Sequence, residues 1–161
     1  MGKLSWGKPT IYIKDLDTEG AKWTKIPTPV KDSTELTPTK GDKKEAPLEG
    51  GENEDVKFAK NTYELAYQIR KSSDKTMPFT DVDGIIANHF AVALVPENAD
   101  APGFIIDKST VSAEDKFTAE DGAVVTYTHS VLKPDTGNQV KWGKVTVTEV
   151  EGAVSNIAVV Q

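Results

Sequence analysis

Apolar and polar residues alternate along much of the chain, most sharply over residues 62–70. There Tyr63, Leu65, Tyr67 and Ile69 share one parity, and Thr62, Glu64, Ala66, Gln68 and Arg70 the other. Successive side chains on a strand face opposite ways, so this pattern predicts a strand packed on one side and wet on the other. Shorter strands are predicted at residues 10–14 (TIYIK) and, after a turn at 17–20, at 22–26 (KWTKI). The continuous apolar run FAVALV, residues 90–95, fits a strand covered on both faces. Three more strands are expected at 104–111, 123–132 and 140–150. In the last of them Val140 and Trp142 share one parity and Val145 and Val147 the other, and a bulge at Gly143 would restore a single buried face. Residues 134–138 (PDTGN) have the turn chemistry of a hairpin connection. The tail 156–161 (NIAVVQ) is apolar enough to add a strand or to dock on a neighbour.

Two segments break the strand pattern. Residues 80–88 (TDVDGIIAN) read as one or two helical turns, with Thr80 as the N-cap and Asp81 and Asp83 in the first turn. Residues 38–55 (PTKGDKKEAPLEGGENED) form a long polar arm that reads as a loop. Residues 56–59 either pair within the arm or begin the main strand. Pro27 and Pro29 keep the segment before the arm out of any central strand, since proline cannot donate to a ladder. The predicted fold class is mainly β: an antiparallel β-sandwich or barrel with one short helix inserted mid-chain and a long polar loop. A structureless loop of that length is uncommon in a compact domain unless it is functional or disordered. Beside a half-wet sheet, it points to a protein that contacts other copies of itself.

The 161 residues fit one domain, long enough to bury roughly 70% of the surface the unfolded chain exposes. The absence of cysteine excludes disulfides, thiolate metal sites and a cysteine nucleophile. The N-terminus lacks the apolar core of a signal peptide, and no stretch approaches the roughly 18 apolar residues of a membrane span, so the expectation is a soluble chain not exported by the usual signal. Charge is uneven: residues 1–48 carry nine lysines against seven acids, whereas residues 49–161 carry ten basic residues against eighteen acids. An acidic body argues against phosphate-mediated nucleic-acid binding and suits a surface past which a polyanion slides.

Candidate chemistry is sparse. His89 and His129 belong to no metal-ligand spacing and read as structural or surface residues. Asp15, Asp17, Glu19 and Gly20 imitate the start of a calcium loop, but the twelfth position, which needs a bidentate glutamate, is Ile26. Asp81/Asp83 and Glu120/Asp121 are carboxylate pairs better explained by capping and turns. Gly50 and Gly51 are flanked by Glu49, Glu52 and Glu54, which repel phosphate. Trp6, Trp23, Trp142, Tyr12, Tyr63, Tyr67 and Tyr127 could stack a sugar or a base, although core or interface packing is the commoner use. No catalytic residue, metal site or cofactor is expected.

The order of features resembles the tail tube proteins of long-tailed phages, which are related in fold to the tubes of contractile injection systems. The matching segments are the strand at 10–14, T-E-L-T-P at 34–38, and the arm ending E-G-G-E at 49–52. K-N-T-Y-E-L at 60–65 and the closing V-L-K-P-D-T-G-N-Q-V-K-W-G-K at 131–144 complete the pattern. The resemblance implies a virion structural protein of a phage or prophage, made in the bacterial cytoplasm, whose hexameric rings stack into a tube that guides DNA without binding it specifically. Its partners would be other copies of itself and further tail proteins, with no membrane. It implies that the arm is the inter-subunit contact, through Lys40, Asp42, Lys43, Lys44, Pro47, Leu48, Glu49, Gly50, Gly51 and Glu52. It also implies that Thr62, Glu64, Gln68 and Arg70 face the lumen and that the tail 156–161 joins a neighbour's sheet. The alternative is a monomeric immunoglobulin-like or carbohydrate-binding sandwich using the arm as a recognition loop. An enzyme is not expected.

Overall fold

The computed structural model describes residues 2–150 and 153–160, and all of its regular structure is strand. Eleven strands follow in order: β1 Thr10–Asp15, β2 Thr24–Lys25, β3 Glu35–Thr39, β4 Lys43–Pro47, β5 Asn53–Phe58, β6 Thr62–Arg70, β7 Ile85–Val95, β8 Gly103–Thr118, β9 Gly122–Val131, β10 Val140–Val150 and β11 Ala153–Val160. Nine of them form one antiparallel sheet in the order β2-β1-β7-β8-β9-β6-β3, with β10 attached to β8 and β11 to β10. β4 and β5 pair only with each other.

The sheet curls on itself. Ile11 and Ile13 of β1 share one core with Leu65, Tyr67 and Ile69 of β6, although three strands separate β1 from β6 in the sheet. The long β7–β8 pair lies between them, and its register shifts twice, between Ile85 and His89 and between Phe90 and Val92. Such bulges bend a strand and increase its twist. The result is a sandwich-like antiparallel fold, as the alternation predicts.

β8 organises the rest. Its first part, Gly103 to Ile106, pairs with β10, and its second part, Ser109 to Thr118, pairs with β9. The connection at 132–139 therefore links two successive partners along one edge of β8, running in the same direction, rather than forming the hairpin loop its turn chemistry suggested. The parity change in β10 has a different cause from the expected bulge. Val140 faces the main core, whereas Val145 belongs to a second cluster with Ala93, Ile105 and Ile157. The two parities serve two cores on opposite faces, with no register shift at Gly143. The irregularity lies instead between Thr148 and Glu149. The run at 90–95 is covered on both faces for the same reason: Val92 and Leu94 face one core and Ala93 the other.

No helix occurs at 80–88. Asp83 and Gly84 both adopt positive φ (50° and 86°), and Val82 and Ile85 exchange two backbone hydrogen bonds of 3.0 Å around them. Asp-Gly is a strong two-residue hairpin signal, and its left-handed geometry overrides the weak helical pattern. The Asp81 carboxylate, expected to cap a helix, accepts from the Gly84 N–H at 2.9 Å. No helix long and apolar enough to cross a membrane is present among the described residues.

Candidate assembly surfaces

The polar arm is a β-hairpin, not a structureless loop. β3 and β6 run antiparallel, Glu35 opposite Ala66 and Thr39 opposite Thr62, and β4 and β5 continue that ribbon beyond the sheet. Lys43 pairs with Phe58 and Ala46 with Asp55. The ribbon pinches at Gly41, whose N–H donates to Asn61 Oδ1 at 3.0 Å while Ala59 N–H donates to the Asp42 carbonyl at 2.8 Å. A Cβ at Gly41 would lie 2.0 Å from the Ala59 carbonyl oxygen, so glycine is required there. At the tip Gly51 N–H closes a turn onto the Leu48 carbonyl, and Gly50 and Gly51 take φ near +90°, which glycine adopts freely.

Every residue from Asp42 to Lys60 is exposed except Val56, which is half-buried. Lys40, Asp42, Lys43, Lys44, Pro47, Leu48, Glu49, Gly50, Gly51 and Glu52 therefore project from the body together. Their internal bonds are modest: an ion pair between Lys43 and Glu45, and Lys40 Nζ 5.0 Å from the centroid of the Phe58 ring. A lone two-stranded hairpin is marginally stable in water, and this one has no core of its own.

The other predicted surface is the wet face of β6, which β3 and β9, and β8 beyond β9, extend into a wider outer face. Thr62, Glu64, Gln68 and Arg70 are all exposed on it, as the alternation requires. The register sets Glu64 beside Ser130, Ala66 beside Thr128 and Gln68 beside Thr126, with Thr110, Ser112 and Glu114 on the next strand. The face is dominated by hydroxyls and carboxylates. Arg70 lies at its end, with Nη1 donating to the Asp121 carbonyl at 3.1 Å. The tail finds its partner within the chain: Ile157 pairs with Val147 and Val159 with Val145, and Ile157 fills the second core. Gln161 lies outside the described residues.

One group of functional-type side chains went unpredicted. Tyr67, Ser109 and His129 meet in the main core, all at 0% exposure. Tyr67 Oη lies 2.8 Å from His129 Nε2, Ser109 Oγ 3.1 Å from His129 Nδ1, and Ser109 Oγ donates to the Phe90 carbonyl at 2.8 Å. The Ser109 proton is committed to that carbonyl, so Nδ1–H must donate to Oγ and Tyr67 O–H to Nε2. That polarity is the reverse of nucleophile activation, in which the imidazole accepts the serine proton. The chain of bonds instead satisfies Phe90, whose carbonyl sits at the β7–β8 register shift. Burial holds the His129 pKa down to about 3 and pushes that of Tyr67 well above its ordinary value. Alternation alone marked Tyr67 as inward; the meeting of three strands that brings His129 and Ser109 to it had no local signal.

His89, by contrast, is half-buried at the other register shift. Its backbone N–H donates to Asp17 Oδ2 at 2.7 Å, and Nδ1 lies 3.2 Å from the same oxygen. Asp15 accepts from Asn88 Nδ2, Thr18 Oγ1 and the Asp17 N–H. Burial is the strongest single influence and raises its pKa, but these hydrogen bonds together outweigh it and hold the pKa below the ordinary value. The acids that imitate a calcium loop thus tie the β1–β2 turn to β7. Of the aromatics, Tyr67 and Tyr127 are core, whereas Trp6 and Trp142 are exposed, Trp142 packing on Phe104 at 5.1 Å between centroids.

No protein-family model and no curated protein matches the chain.

Proposed function

We propose that this chain is a self-assembling structural subunit whose rings stack into a tube, as the resemblance to phage tail tube proteins implies. The observation that carries the reading is the β4–β5 hairpin, a ribbon of two paired strands projecting into solvent with nothing of its own chain to pack on. Ordering such a segment costs entropy that a neighbouring subunit repays by covering it. The hydroxyl-rich outer face of β6, β8 and β9 supports a lumen lining, because serine, threonine and carboxylates give a sliding polyanion little cationic foothold, with Arg70 and Lys116 confined to one end of the face. The acidic net charge of −6 acts in the same direction. In this reading Thr62, Glu64 and Gln68 line the channel of a hexameric ring in a virion tail, with Arg70 at the end of that face and outside the channel, and DNA passes without specific contacts.

Sedimentation and negative-stain electron microscopy of the purified chain over a wide concentration range test this. Rings or tubes are expected from the wild type, and monomers from a chain in which residues 42–58 are replaced by a short Gly-Ser turn. Wild-type monomers at every concentration and salt condition would overturn it. The rival reading, a monomeric carbohydrate-binding sandwich, draws on the half-exposed Trp142 at the mouth of an apolar cleft of about 650 Å³. Glycan-array binding by a monomer, lost in Trp142→Ala, would favour it.

A further inference from the structure

The arm is electrically polarised. From Leu48 to Asp55 it carries Glu49, Glu52, Glu54 and Asp55 and no basic residue. Its root carries Lys40, Lys43, Lys44, Lys57 and Lys60 against Asp42 and Glu45. An acidic tip with one apolar side chain, Leu48 at 50% exposure, calls for a cationic receptor beside an apolar one.

The body offers that combination beside the Arg70 end of β6. Lys31, Arg70 and Lys75 converge on a pocket of about 340 Å³, whose remaining walls are Thr28, Pro29 and Val30. No carboxylate lines it among the described residues, although the chain as a whole is acidic. Asp74, next in sequence to Lys75, is turned onto the Ser72 hydroxyl. The 28–31 segment is held against β6 by the Val30 N–H donating to the Gln68 carbonyl at 2.8 Å. Its residues also line the apolar cleft floored by Leu65, Leu94 and Phe104. Cationic pocket and apolar cleft are thus neighbours across one short ridge, with Asp32 and Lys8 at the edge of the cleft.

The arm cannot reach this receptor in its own chain. It leaves the body at the Thr62 end of β6 and continues outward, whereas Arg70 is at the other end of that strand. Nine residues of strand put on the order of 25 Å between the two ends, before the arm's own length is added in the opposite direction.

We propose that the acidic tip of the arm docks on a second copy of this chain at the Lys31–Arg70–Lys75 pocket, with Leu48 entering the adjoining cleft. The contact rests on the assembly reading above and gives it a receptor. Because donor and acceptor surfaces differ, the contact is head-to-tail, the type that closes into rings or propagates along a fibre. Its charge pairs are exposed, so it weakens as salt shortens the screening length.

Paired charge reversal tests it. Glu49→Lys with Glu52→Lys in the arm, and Lys31→Glu with Lys75→Glu in the receptor, are measured separately and combined in one chain by sedimentation at fixed salt. Arg70 is left alone because it holds the Asp121 carbonyl. Each pair alone should weaken self-association at least tenfold, and the combined chain, whose net charge equals that of the wild type, should recover to within threefold. A receptor variant that assembles like the wild type, or a combined chain as weak as either single pair, would overturn the docking while leaving the assembly reading intact. A wild type that never assembles would remove both. Where a reversal disturbs the circular dichroism spectrum, the neutral pair Lys31→Gln with Lys75→Gln serves instead, with the same direction expected.

Discussion

His129 is neutral in the folded protein because its burial leaves no room for a hydrated cation, and its two ring nitrogens are already paired with Ser109 and Tyr67. The unfolded chain binds a proton at the ordinary histidine pKa near 6.5, whereas the folded chain resists until about pH 3. Between those values the unfolded state holds more protons, so stability is full above the upper value and falls as pH drops. The slope is at most about 1.4 kcal/mol per pH unit, or about 2 kcal/mol lost by pH 5. Urea unfolding at pH 7 and pH 5 measures it, and His129→Gln should flatten that part of the profile. Tyr67→Phe removes the donor to Nε2 and leaves a buried acceptor unpaired, a loss of about 1–3 kcal/mol at neutral pH. At Gly41 the constraint is steric. Gly41→Val drives a side chain into the Ala59 carbonyl and should splay the arm root, seen as faster amide exchange at Ala59 with little change in the melting temperature of the body.

Element by element, alternation was the most legible signal. It placed β6 and β10 at their observed bounds and marked the wet face of β6 residue by residue, because a strand half in a core must alternate. It failed where geometry comes from two-residue chemistry or from distant pairing. Asp83–Gly84 turns the chain sharply where a capped helix was expected, and the parity change of β10 reflects two cores that no local pattern reveals. The arm was legible as polar and exceptional in length but not as paired, since Lys, Glu and Pro are poor strand formers. Its strands hold chiefly by backbone bonds. Limited proteolysis should therefore cut the free protein first within residues 48–52, leaving the body whole. Deleting residues 42–58 should shift the melting temperature of the isolated subunit by no more than a few degrees, because the arm packs on none of the core.

For the whole molecule, charge and topology act together. The carboxylate-rich tip, the lysine-rich root and the cationic pocket at the far end of β6 give the subunit a direction, which composition could not show because it sums to a plain net charge. Association should accordingly weaken at least tenfold between about 50 mM and 500 mM salt, where the screening length falls severalfold, as light scattering would record. Apolar burial alone would give little change or a slight strengthening. The continuity of β3 and β6 with the arm has a mechanical consequence. A pull on the tip is delivered along the axis of β6, which lies hydrogen-bonded between β3 and β9. Such a load is shared in shear by many bonds at once instead of peeling them singly, so a subunit tugged by its neighbour gives way at the glycine pinch before its anchorage tears.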